Sequence, residues 1–258
     1  MMRTPTIKAT LERRILVNYR VKPEALASAV PPPFRPLLVG GQGVAGICLI
    51  RLSGIRPAGL PGALGLRSEN AAHRVAVEWD TPAGPASGVY IPRRDTSSRL
   101  TVLLGGRAFP GWHHQARFLV EEGDGSYRVE MSSRDGELEL AVSAHRTEKP
   151  MPGSVFESLD EASAFFRNAP LGYAATPNDA VFDGVALTTT TWAIAPLHLD
   201  ELRSSFFEDS ERFGPGAAVA DSAFLMSNLD TTWRSQPPLV ASAVPTCGAR
   251  PAAVPAAR

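Results

Sequence analysis

Short runs rich in valine, isoleucine, threonine and aromatic residues, broken by glycine, proline and aspartate, recur from residue 13 to residue 233 of this chain. β-branched and aromatic side chains suit a pleated, half-buried surface, and the residues between the runs are those that turn a chain sharply. "RRILVNYRV", "VAGICLIRLSGI", "HRVAVEW" and "SGVYIPRR" read as strands, and "HHQARFLVEE", "SYRVEMSS" and "ELELAVSAHR" as a meander turning at "GDG" and Asp135-Gly136. Two further strands are expected to flank Asp183-Gly184, one of them "LTTTTWAI", with "SAFLMSNLDTTW" last. Helices are few. "PEALASAV" opens on a proline, Asp95 or Ser97 can cap "SRLTVLLGG", Ser158 and Glu161 form a capping box before "ASAFFR", and "LDELRSSFFED" is a further candidate. "RPAGLPGALG" is a loop. The expected fold is mainly β (α+β), an antiparallel sheet curved into a barrel or sandwich with peripheral helices.

At 258 residues and 44% hydrophobic content the chain can bury a substantial core. It divides into an extension at 1–11, one domain at 12–235 and a loose Pro/Ala-rich tail at 236–258. The 26 basic and 26 acidic residues cancel, so no net field draws the protein to nucleic acid or an acidic membrane. No apolar run of about 18 residues and no secretory leader is readable, so the expected location is cytoplasmic. Cys48 and Cys247 have no metal or redox spacing. Only Lys8, Lys22 and Lys149 offer an amine.

Chemistry concentrates in three clusters: "RSENAAHR" with Glu69 and His73, "VYIPRRD" with Tyr90, Arg93 and Arg94, and "GWHH" with Trp112, His113 and His114. Carboxylate and imidazole together suit proton transfer near neutral pH, and guanidinium suits a substrate carboxylate. Each has a structural counterpart: Glu69 paired to Arg67 or Arg74, a core His73, and an arginine bridged to Asp95 or Glu78. In an extended "WHHQARFLV", His114 shares the apolar face with Trp112, Ala116 and Phe118, and His113 takes the other. Metal binding by Glu69, His73 and one paired histidine has no diagnostic spacing, so neither metal nor cofactor is expected. No nucleophile elbow, phosphate loop or dinucleotide fingerprint is present.

Together "RRILVNYRVKPEALASAVPPPFRP", "VAGICLIRL", "SENAAHRVAVEWD", "GVYIPRRDTSSRL" and "GGRAFPGWHH" resemble the YqjF-like family within the acetoacetate-decarboxylase-like superfamily, over about residues 12–233. The resemblance implies a cone-like antiparallel β-barrel enclosing a small cavity, and a tendency toward homo-oligomers. It places Glu69 at an active-site glutamate and, laid without a gap, His113 and His114 at a lysine pair, with His113 at the Schiff-base position. Imidazole has no primary amine, so an iminium is not expected here. The reading is an enzyme, lyase- or isomerase-like, in which Glu69 and His113 or His114 move protons on a carboxylic or keto acid. His73, Tyr90, Arg93, Arg94 and Trp112 would contact that acid. The alternative is a non-catalytic protein binding a small carboxylate or apolar ligand in the same cavity.

Overall fold

The computed structural model describes residues 5–61, 65–106, 110–149 and 152–241. Part of the expected loop "RPAGLPGALG", residues 107–109 of "GGRAFPGWHH", and most of the expected tail with Cys247 lie outside them.

In chain order the elements are β1 (Ile7–Val21), α1 (Pro23–Ala29), β2 (Arg35–Pro36), β3 (Leu38–Val39), β4 (Gln42–Pro57), β5 (Leu66–Thr81), β6 (Gly84–Thr96) and α2 (Arg99–Leu104). They continue as β7 (His114–Gly123), β8 (Ser126–Ser133), β9 (Glu139–Arg146), α3 (Leu159–Arg167), β10 (Leu171–Ala175), β11 (Val181–Thr189), β12 (Ala195–Ser204), α4 (Ser205–Glu208), α5 (Ser210–Phe213) and β13 (Ala218–Val240). The fold is mainly β, as expected, and all strands join one sheet.

That sheet closes twice. The wall β13-β1-β4-β5-β6 is shared; β7-β8-β9-β12 completes one circuit, and β10-β11 completes another of seven strands. Two long strands make the branching possible. β6 pairs in parallel with β10 through Val89–Ile91 and with β7 through Asp95 and Thr96. β13 pairs with β12 through Leu225, Phe224 and Ala223, and with β11 from Thr231 to Val240. Both faces of the wall are therefore covered. β1 shows the consequence: burial alternates from Ile7 to Leu11, then runs unbroken from Ile15 to Tyr19. Ile15, Val17 and Tyr19 enter one hydrophobic cluster, while Leu16 enters a second with Cys48, Ala76 and Phe166. Each fully buried Leu or Ile contributes about 1.5–3 kcal/mol.

Ser158 caps α3 as expected, its Oγ accepting from Glu161 N at 3.1 Å, while the Glu161 carboxylate accepts from Glu157 N rather than from Ser158 N, and α3 packs Phe166 onto the second cluster. Ser98, rather than Asp95 or Ser97, caps α2. Asp183-Gly184 does not separate two strands; it lies inside β11, because both residues pair with β10. Residues 190–194 of "LTTTTWAI" are not strand. The expected helix "LDELRSSFFED" begins as strand, since Leu199 to Ser204 pair with β9, and turns helical only at Ser205. β1 starts at Ile7, within the stretch read as an extension, and β13 continues to Val240 against β11.

Candidate functional site

A cavity of about 180 Å³ lies inside the seven-strand circuit, and every one of its seven strands contributes to the wall. It falls below the roughly 300–1,000 Å³ of pockets for drug-sized ligands. Most of the lining is apolar, including Ile50, Ile91 and Val185. The polar exceptions are Arg14, Cys48, Asn70, Arg74, Arg94 and His113, along with Ser68, Asp95, Thr101 and Ser235. None of the lining residues is a lysine.

Register explains the convergence. Leu16, Cys48, Ala72 and Arg94 are successive partners across β1, β4, β5 and β6. Arg14, two residues before Leu16, and Arg74, two residues after Ala72, are diagonal neighbours of Cys48 on the same face. The Arg74 Nε donates to the Cys48 sulfur at 3.1 Å, and an Arg14 Nη at 3.4 Å. Arg74 also donates to Asn18 Oδ1 and lies over the Phe166 ring at 4.8 Å. Gly46 leaves space for this, since a Cβ there would strike the Val17 carbonyl and crowd Arg74. Burial alone would push the Cys48 thiol up, but Arg14 and Arg74 more than offset it and hold the group below its ordinary value.

Arg94 and His113 meet at the loop entering β7. An Arg94 Nη donates to the Pro110 carbonyl at 2.9 Å, Gly111 N donates to Asp183 Oδ2 at 2.8 Å, and Trp112 N donates to the Ala175 carbonyl. Gly111 has φ 85°, and a Cβ there would strike Ala174. His113 Nδ1 lies 3.1 Å from the Gly111 carbonyl. Burial, and secondarily Arg94, pull His113 down to about 3, so it is neutral at pH 7. Burial also lowers Arg94, to about 10, which leaves it charged. Its Nε is buried without a hydrogen-bond partner. No ion pair joins Arg14, Arg74 or Arg94 to a carboxylate among the described residues.

Of the eight residues singled out from sequence, His113 and Arg94 line this cavity. The other six lie elsewhere. Glu69 joins Arg13, Arg51 and Glu122 in a four-membered ion-pair network, so its partners are neither Arg67 nor Arg74. His73 is buried against Phe206, ring centroids 4.4 Å apart, and its Nδ1 has no hydrogen-bond partner. Tyr90 packs on Phe34 and Phe182. Arg93 is clamped by Asp95, Asp135 and Glu137. His114 Nδ1 lies 2.8 Å from Asp135 Oδ2, and Trp112, exposed, packs its ring at a tilt against His114. The parity expectation for His114 fails because β7 begins at that residue: His113 belongs to the preceding loop, and the loop turns it onto the cavity.

His114, Asp135 and Glu137 have ligand atoms within 4.8 Å of one another, a spacing suited to a metal ion. The Arg93 guanidinium already lies against both carboxylates, and Glu69 and His73 are not part of the group. Sequence reasoning missed Arg14, Cys48 and Arg74. The available signal was Arg74 itself, a charge inside "AAHRVAVEW".

No helix among the described residues is long and apolar enough to cross a membrane. Similar solved structures include an acetoacetate decarboxylase-like enzyme from Sphingomonas wittichii RW1, at 12% identity and TM-score 0.59, covering 94% of this chain and 95% of that one. Acetoacetate decarboxylase from Legionella pneumophila matches at 14% identity and TM-score 0.56, over 91% of this chain and 88% of its own. The enduracididine biosynthesis enzyme MppR complexed with pyruvate matches at 13% identity and TM-score 0.53, over 94% and 92%. At such identities the likeness establishes the fold. No curated protein matches the sequence. A family model does, over residues 8–211, and by that match the chain belongs to the DUF2071 family of uncharacterized conserved proteins.

Proposed function

We propose that the protein is a small-molecule enzyme that seats a short carboxylic or keto acid in the cavity and moves a proton on it without a Schiff base. One observation carries the reading: Arg14, Arg74 and Arg94 converge on a small apolar cavity, and no described carboxylate is ion-paired with any of them. Asp95, the acid in the wall, is committed to Arg93. Asp183 eases the Arg94 charge without pairing with it, and an arriving carboxylate would add the charge-assisted hydrogen bonds that these buried guanidiniums lack. The likeness of fold to acetoacetate decarboxylase, and to an enzyme complexed with pyruvate, supports an acid of this class.

His113 is the proton-transfer group of this reading. Its Nδ1–H donates to the Gly111 carbonyl, which selects the tautomer with Nε2 as the basic nitrogen. A carboxylate on Arg94 cancels part of the field that depresses His113 and raises its basicity when the acid is bound. Without a lysine in the wall, chemistry by proton transfer next to a carbonyl replaces iminium chemistry.

Pyruvate in D2O, followed by proton NMR, tests this. The protein is expected to speed deuterium incorporation into the methyl group, and His113→Gln to slow it by about a hundredfold. Borohydride is expected to trap no pyruvate adduct. A trapped lysine adduct overturns the mechanism. Saturable binding with no exchange favours the second reading, a binding protein, which the low basicity of His113 supports.

A further inference from the structure

The acid-seat reading uses the arginines and His113, and leaves the sulfur at the cavity wall without a role. Cys48 is 3% exposed, lines the cavity, and receives N–H groups from two guanidiniums that have no carboxylate partner among the described residues. A thiol needs neither donor. A thiolate accepts both, and it balances one of the buried charges. A second, independent feature points to a ligand beside it: the buried Arg94 Nε without a hydrogen-bond partner, on the same wall.

We propose that Cys48 is a nucleophile of this cavity and adds to short unsaturated keto acids whose carboxylate rests on the guanidiniums. The inference depends on the acid-seat reading for its choice of electrophile. A thiolate is a soft nucleophile and attacks a conjugated carbon readily. The sulfur lone pair forms a bond to the alkene carbon remote from the ketone. The alkene pair shifts to give the enolate, the carbon beside the ketone takes one proton from water, and the hydroxide formed is neutralised by the proton the thiol released on ionising. Nothing leaves, and no oxidant or reductant is consumed. The register that brings Arg14 and Arg74 beside Cys48 therefore provides both the activated sulfur and the charge that orients the acid.

The test is competitive modification of the folded, full-length chain by acetylacrylate and by its uncharged methyl ester, read by peptide mass spectrometry. Cys247, the other cysteine, serves as internal reference. Cys48 is expected to favour the acid by about tenfold, the worth of a charge-assisted hydrogen bond, while Cys247 favours the ester. Arg94→Gln is expected to abolish the preference for the acid over the ester at Cys48. Excess pyruvate is expected to slow the acid at Cys48 in the unaltered protein, which keeps the test decisive if the variant does not fold. A Cys48 that stays unmodified while Cys247 reacts, or that shares the ester preference of Cys247, overturns the proposal. Wild-type protein that binds pyruvate while Cys48 stays inert removes the nucleophile and leaves the acid seat intact.

Discussion

His73 and His113 are two imidazoles that burial holds neutral, and both are drawn down to about 3. Their linkage to stability has one sign. Below pH 6.5 the unfolded chain takes up a proton that the folded chain refuses, so stability present above that pH is lost as pH falls toward 3. Each histidine accounts for about 2 kcal/mol of loss between pH 8 and pH 5. His73→Leu removes a group lodged against Phe206 and Phe207, away from the cavity. Urea denaturation at the two pH values is expected to show the loss shrink by about 2 kcal/mol in that variant. An unchanged pH slope would mean that His73 already accepts its proton in the fold. Residue type alone flagged His73, but not its surroundings, because Phe206 and Phe207 lie more than a hundred residues away in sequence.

Strand pairing decides which of two adjacent arginines serves the cavity. A bulge in β6 sets Ile91 and Pro92 opposite Arg74, after which Arg93 pairs with His73 and Arg94 with Ala72. Arg93 consequently meets Asp95, Asp135 and Glu137, and Arg94 meets the cavity. Arg93→Met strands the fully buried Asp95 carboxylate and is expected to cost about 3 kcal/mol in chemical denaturation. A loss under about 0.5 kcal/mol, the level of a surface substitution, would contradict that assignment. The meander from β7 to β9 and the α3 N-cap were legible because local chemistry specifies both. Turn residues set the hairpins, and Ser158 caps its own helix. The bulge was not legible, since no glycine marks it. Nor was the passage of β11 through Asp183-Gly184, where pairing on both sides overrides a turn dipeptide. The same limit hid the site: Arg14, Cys48 and Arg74 come together only through pairings across β1, β4 and β5.

For the molecule as a whole, branching of the sheet separates two environments on opposite faces of one wall. Ile15, Val17 and Tyr19 pack into one hydrophobic cluster, and Glu69 and His73 lie outside the cavity. The other face, closed by β10 and β11, holds Arg14, Arg74 and Arg94, none of them ion-paired with a carboxylate among the described residues, since Asp95 pairs with Arg93 and Asp183 accepts from Gly111 N. Sequence patterning suggested a barrel or sandwich and picked out the polar clusters, and resemblance suggested that the barrel encloses a cavity. The division of those residues between two faces required the closed circuits themselves. In the proposed function the cavity is an anion seat before it is anything else. Titration calorimetry with pyruvate at pH 7 tests this most directly. The account predicts one site per chain, weakened by at least about tenfold in Arg94→Met, as expected for loss of a charge-assisted hydrogen bond. Equal affinity in the variant, or no pyruvate binding by the unaltered protein, would contradict it.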